Sequence, residues 1–284
     1  MKIRDVGVVT SFECRRFVRS PAGILFLALF VMVTAWFSMK AHDFVKDSDE
    51  MAALAQGGGE SMLLAFVSGW TDLTTETLSQ LLADHPPLML LFFLVVVMST
   101  PLLAMIASMD QNASDIHTKH ARYLLMRTDR TSLYIGKTCG VYLGFGLYTG
   151  IGILLTASIL YFVGGTEGFS LLSVLGYGLR IWMATLLLAM PFITMMGLFG
   201  AMTSHQMLAL LMGVGLGLVV WGVSAIGGWA NEDLKVVRYA YPTAFNYHLM
   251  TDTAADFLKA TGHILGFAGI TFIAGLTVFR RRDI

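Results

Sequence analysis

The chain has 284 residues, 56 % of them hydrophobic and 13 % charged, with a formal net charge of zero and a mean hydropathy of +0.69. A soluble domain carries roughly 25 % charged residues, so this composition points to the bilayer. The neutral balance gives no case for nucleic acid as a partner, and Cys14 and Cys139 supply neither a disulfide framework nor metal-ligand spacing.

The first segment, RDVGVVTSFECRRFVRSP, sets Val6, Val9, Phe12, Phe17 and Val18 among charges. Residues 1–20 read either as an amphipathic elbow lying in the membrane surface or as a basic flank that only sets topology. Pro21 then opens an apolar run. A helix crossing a hydrocarbon core of about 30 Å needs roughly 20 apolar residues. Six segments meet or approach this length: 21–39, 86–108, 138–163, about 178–200, 206–228 and 262–279. The first is expected to be an uncleaved anchor, since no small-residue cleavage site follows WFSMKAHD. The expected fold is therefore all-α, with a single six-span transmembrane domain over 21–284.

Lys and Arg set the orientation. They gather in the N-terminal segment, in the 109–137 loop and in the Arg280–Arg282 tail. The opposite side holds only Lys40, Lys46, Lys235, Arg238 and Lys259, and its 40–85 loop is acidic. Both termini are expected in the cytoplasm. In the outer loop 40–85, Asp47 and Glu50 form a capping box and Gly57–Gly59 break the helix that follows. Short helices over the outer mouth are expected there, with or without a partner of their own.

Gly136, Gly140 and Gly144 recur at four-residue spacing, followed by Gly146 and Gly150, and Gly213 and Gly217 repeat the device beside Gly215. Such rows permit close helix approach, within one subunit or across a dimer. Trp36, Trp182 and Trp229 mark the outer interface, where Arg180 is expected to snorkel. The methionines of the fourth and fifth spans suit apolar gap-filling better than soft-metal binding, because they keep no single helical face.

The stretch RTDRTSLYIGKTCG (127–140) imitates the end of a phosphate-binding loop at Gly136-Lys137-Thr138. The first glycine of that motif is replaced by Thr131, and a long apolar run follows where a soluble helix should. The chain is therefore not expected to bind nucleotide there. The spans also lack paired carboxylates and hydrolase motifs, so an enzyme is not expected. The 109–137 loop instead offers an apolar stripe (Tyr123, Leu124, Met126) and a polar turn at Thr128-Asp129. A short helix there would dock in a groove of another protein, with Tyr134 and Lys137 anchoring the third span at the interface.

At this point the chain resembles the permease subunits of type-2 ABC exporters. Glu13, Arg15, Ser20 and Pro21 resemble their entry into the first span, and ARYLLMRTDRTSLYIGK resembles their coupling loop, with Thr128-Asp129 in place of the usual proline. AMTSHQMLAL is similar to their second cytoplasmic turn, YAYPTAFNYHLM to their outer re-entrant segment (within 229–261) and FRRRDI to their tail. The resemblance covers essentially the whole chain. It implies a dimeric transmembrane core, made of one permease paired with itself or with a relative, above two separate ATPase subunits that hold ATP and Mg. It implies no cofactor on this chain and a bacterial inner-membrane location. Asp115, Lys119, Arg122, Tyr123, Arg127, Asp129 and Arg130 would be the ATPase-coupling residues.

The apolar walls suggest a hydrophobic or amphipathic cargo. A different reading is a mechanotransmission or assembly subunit acting on an extracytoplasmic partner through loop 40–85, for example in metal-site maturation. An ion-coupled carrier is a third.

Overall fold

The computed structural model describes residues 3–46, 81, 85–162, 168–203, 205–230, 232–251 and 253–282. Nine helices and two 3-10 segments follow one another among these residues, with no strand. They are α1 (Ile3–Arg19), α2 (Pro21–Lys46), α3 (Pro87–Ser108), α4 (Ala113–His117), α5 (His120–Leu125), α6 (Arg130–Phe162), α7 (Leu171–Met202), α8 (Gln206–Ala230) and α9 (Ala254–Arg281). The 3-10 segments Glu232–Ala240 and Pro242–Leu249 lie between α8 and α9.

Among the described residues, five helices are long and apolar enough to cross a membrane. α1 and α2 add a sixth if the bent pair counts as one span. The expected 86–108 and 206–228 spans agree closely with α3 and α8. α6 and α7 start earlier than expected, at Arg130 and Leu171, and α9 starts at Ala254. The expected helices at Asp47, Glu50 and beyond lie outside the described residues. Tyr134 and Lys137 do not anchor the helix at the membrane surface. Both are fully buried.

The α1–α2 corner is built by Ser20 and Pro21. Ser20 Oγ accepts from the Gly23 amide (2.9 Å) and donates to the Phe17 carbonyl (3.1 Å), so it caps α2 as α1 ends. Proline in the first turn of α2 sacrifices no intrahelical donor. The chain bends there by 60°.

α1 packs along the first half of α6. The two helices run parallel with matched four-residue steps. A Cβ added to Gly136 would lie 2.6 Å from Val9 Cβ, and one on Gly140 would lie 2.6 Å from Glu13 Cβ. On Gly144 it would lie 2.6 Å from Phe17 Cδ1. The glycine row thus serves packing within one chain. Further along α6, Gly150 seats Trp182 of α7, whose indole donates to the Gly146 carbonyl at 2.8 Å. Trp182 therefore holds α6 to α7. Gly213 on α8 seats Met105, Met195 and Met196, and Gly217 seats the Tyr241 hydroxyl.

Arginines lace the helix ends through backbone carbonyls, which have no intrahelical partner. Arg130 Nη1 donates to the Arg280 (2.6 Å) and Arg282 (2.7 Å) carbonyls of α9 and its cap. Arg282 Nη1 donates in turn to the carbonyls of Ala201 and Thr203 (the latter at 3.1 Å) at the end of α7. At the opposite end Arg180 Nη2 donates to the Met250 (3.0 Å) and Thr251 (2.7 Å) carbonyls. It fastens the 3-10 region to α7 instead of snorkelling. Between the two 3-10 segments Tyr241 reaches the middle of α7 and α8, its ring 5.7 Å from Phe192.

Gly140→Val is expected to wedge α1 from α6 and destabilise the protein by about 1–3 kcal/mol, the usual cost of overpacking a close seam. Unfolding in mild detergent reads this out. Gly215→Ala, where a Cβ meets open space, should leave the midpoint unchanged or raise it.

Candidate functional site

Among the described residues, a coupled group of buried polar side chains lies where the α1–α6 seam meets the turn after α3. The Lys137 side chain is only 1 % exposed. Its ammonium donates to Asp115 Oδ2 and to the Gln111 carbonyl at 3.0 Å. Glu13 Oε1 lies 3.8 Å away. Arg16 approaches Asp115 from the other side, with Nη1 2.9 Å from Oδ1 and 3.1 Å from Oδ2, while Nη2 donates to Ser114 Oγ at 2.9 Å. Asp115 therefore joins α4 to both α1 and α6. A buried ammonium or carboxylate is tolerable only when so paired, and removing one partner costs far more than the pair contributes.

Neighbouring amides extend the junction. Gln111 Nε2 donates to Thr138 Oγ1 at 2.6 Å, and Asn112 Nδ2 donates to the Gly197 carbonyl of α7 at 3.1 Å. Tyr134 fills the space behind, its ring 5.5 Å from Phe272 and 5.7 Å from Phe279 of α9. Five elements, α1, α4, α6, α7 and α9, thus converge on the turn at Asp110–Asn112 and the helix turn at Tyr134–Thr138.

Beyond this junction the loop turns outward. Lys119, exposed, adopts a left-handed φ of 59° and separates α4 from α5. α5 carries Tyr123, 68 % exposed, and Met126 follows it at 79 %. Arg127 is exposed. The Arg122 side chain lies outside the described residues. Asp129 closes the loop as the N-cap of α6, accepting from the Ser132 amide (3.1 Å) and hydroxyl (2.7 Å). The Ser132 hydroxyl first, and then its amide, hold the Asp129 carboxyl below the usual carboxylate range.

The predicted coupling residues therefore divide into two sets. Lys119, Tyr123, Arg127 and Asp129 lie on the outer surface of the loop. Asp115 is 4 % exposed and is spent on Arg16 and Lys137, so it is no surface contact. Arg130 is spent on the carbonyls that end α9. Glu13, Arg16, Gln111 and Lys137 form the junction although only the topology and entry motifs pointed to them. The Glu13–Arg16 spacing, the polar run Asp110-Gln111-Asn112 directly after a span and the Lys137 that interrupts an apolar helix were the available signals.

A second feature borders the junction at Thr138. An apolar groove of about 300 Å³ opens between α6, α7 and α9, lined by Cys139, Tyr142, Met190, Ile193, Leu265 and Phe272 among others. Thr194 also borders it, but its hydroxyl is engaged with Thr271 Oγ1 at 2.7 Å. No protein-family model matches this chain, and no curated protein matches it significantly.

Lys137→Met leaves Asp115 as a buried carboxylate short of a cation. The variant is expected to lose roughly 3–5 kcal/mol of stability. Adding Asp115→Leu should recover part of that loss, because the two effects share one interaction. Unfolding midpoints of the two single variants and the double variant in one detergent measure the coupling.

Proposed function

We propose that the chain is a permease subunit of an ATP-driven export complex, with the 109–129 loop as the element that receives force from a separate ATPase. The observation that carries this reading is the contrast within one short loop. Its tip presents exposed apolar side chains, Tyr123 and Met126. Its base is locked to α1 and α6 by buried ion pairs. An exposed apolar pair beside Lys119 and Arg127 suits a helix-in-groove contact with a partner. A base held by Asp115, Arg16 and Lys137 suits transmission of a push without local melting.

In this proposal the loop end of the bundle faces the cytoplasm of a bacterium, in keeping with the Lys and Arg bias. Two permeases, identical or related, stand above two ATPases. ATP favours the arrangement of ATPases that fits one orientation of the loop better than the other, and the permease population follows that difference in affinity. α1 and α6 then tilt with the loop. The Arg130 and Arg282 contacts relay the tilt to α9 and α7. The apolar groove between α6, α7 and α9 supports a hydrophobic or amphipathic cargo. Gly136-Lys137 in this mechanism is a fixed point of the junction and touches no nucleotide.

Full-length protein purified in mild detergent with ATPases from the same cell tests this. The double variant Tyr123→Asp plus Met126→Asp is expected to lose co-purification and stimulated ATP turnover while keeping its unfolding midpoint. If no ATPase binds even the wild type in detergent or lipid, the permease reading fails.

A further inference from the structure

Beside the Lys137–Asp115–Arg16 pairs lies a half-open pocket of about 20 Å³, lined by Glu13, Arg16, Ser20, Asp110 and Gln111 along with apolar neighbours. One water needs about 10–15 Å³ measured in this way, so the space suits a single molecule. Three oxygens from its lining residues are buried and lack a donor: Glu13 Oε1, Asp110 Oδ1 and Gln111 Oε1. The Gln111 orientation is fixed by its partner. Thr138 Oγ1 gives its proton to the Tyr134 carbonyl at 3.0 Å, so it must accept from the Gln111 amide nitrogen, and Gln111 Oε1 is turned elsewhere. Glu13 is 5 % exposed and clamped over Gly140. Its nearest cations stand off at 3.5 Å (Arg16) and 3.8 Å (Lys137).

What the site lacks is donors. A water brings two hydrogens for three acceptors and leaves one oxygen unsatisfied. The charge balance is short by the same amount. Among the described residues facing Glu13, Arg16 from its own helix and Lys137 from α6 oppose Asp110 and Asp115 from the α3–α4 turn and α4. With Glu13 ionised, three carboxylates share two cations. We propose that Glu13 is a proton-binding site: its carboxyl is protonated at neutral pH and, with one water in the cavity, supplies the donors for Gln111 and Asp110. The proton leaves two carboxylates matched to two cations. A metal cation would instead sit against the Arg16 guanidinium that lines the same cavity. Ionisation of Glu13 breaks the donor set and loosens α1 from the loop base, so the junction responds to pH on its own side of the membrane. This inference rests on the geometry of the junction and is independent of the permease reading.

The test uses full-length protein in mild detergent, with isotope-labelled glutamate and infrared difference spectroscopy. A protonated-carboxyl C=O stretch that shifts with the label is expected at neutral pH and is absent from Glu13→Gln. No such band at neutral pH would overturn the proposal. Unfolding supplies the second readout. A carboxyl that keeps its proton only when folded stabilises below its unfolded pKa of about 4.3 and loses that contribution as pH rises toward its folded pKa. Between about pH 5 and pH 8 the wild type should therefore lose stability relative to Glu13→Gln, by up to tenfold in the folding equilibrium per pH unit. A flat or rising ratio contradicts the assignment. So does a Glu13→Gln chain that cannot fold while Glu13→Asp does. Stabilisation by sodium over choline at equal ionic strength, lost in Glu13→Gln, would assign the cavity to a metal cation and overturn the proton.

Discussion

A lysine ammonium buried within a helix bundle is the constraint around which this molecule is arranged. Stripped of water and left alone, such a charge costs several kcal/mol. Lys137 avoids that cost only because Asp115 and the Gln111 carbonyl come to it from the loop after α3. Asp115 in turn needs Arg16, which requires α1 to lie against α6. The row Gly136, Gly140 and Gly144 makes that approach possible by presenting no side chain to Val9, Glu13 and Phe17. One ion pair therefore specifies where the amphipathic N-terminal helix, the loop and the longest helix meet.

The consequence is a loop with a rigid root and an open tip. α5 makes few contacts with the rest of the chain, yet it is joined through α4 to a junction that touches α1, α6 and α7. Arginine–carbonyl contacts continue the connection at the same end, from Arg130 to α9 and from Arg282 to α7. At the other end Arg180 performs a similar task for the 3-10 region. Each of these arginines satisfies carbonyls that helix or loop ends would leave orphaned, so the ends are fixed without long apolar contacts.

How much of this was legible in the sequence varied with the physics involved. Apolar length marked α3 and α8 almost to the residue, because hydropathy alone decides a span. α6 was expected to start at 138 because Lys137 breaks the apolar run. The helix continues back to Arg130 since the charge is neutralised inside the fold and Asp129 supplies the cap. The glycine row was visible, but its partner was not. Only the matching four-residue spacing of Val9, Glu13 and Phe17 could have suggested it. Arg180 and Arg130 were unreadable for a plainer reason: their acceptors are backbone carbonyls far along the chain, and a carbonyl leaves no mark on sequence. Asp115 was recognised as important yet given the wrong surroundings, since burial of a carboxylate depends on two cations brought from elsewhere.

The central claim is that Asp115 binds α1, the loop base and the start of α6 into one mechanical unit. Hydrogen–deuterium exchange on Asp115→Asn against wild type tests it most directly. The account predicts that protection falls together in α1, in residues 109–117 and in the first turns of α6, while the middle of α7 and α9 stays protected. A change confined to α4, with α1 and α6 exchanging as in the wild type, would contradict it.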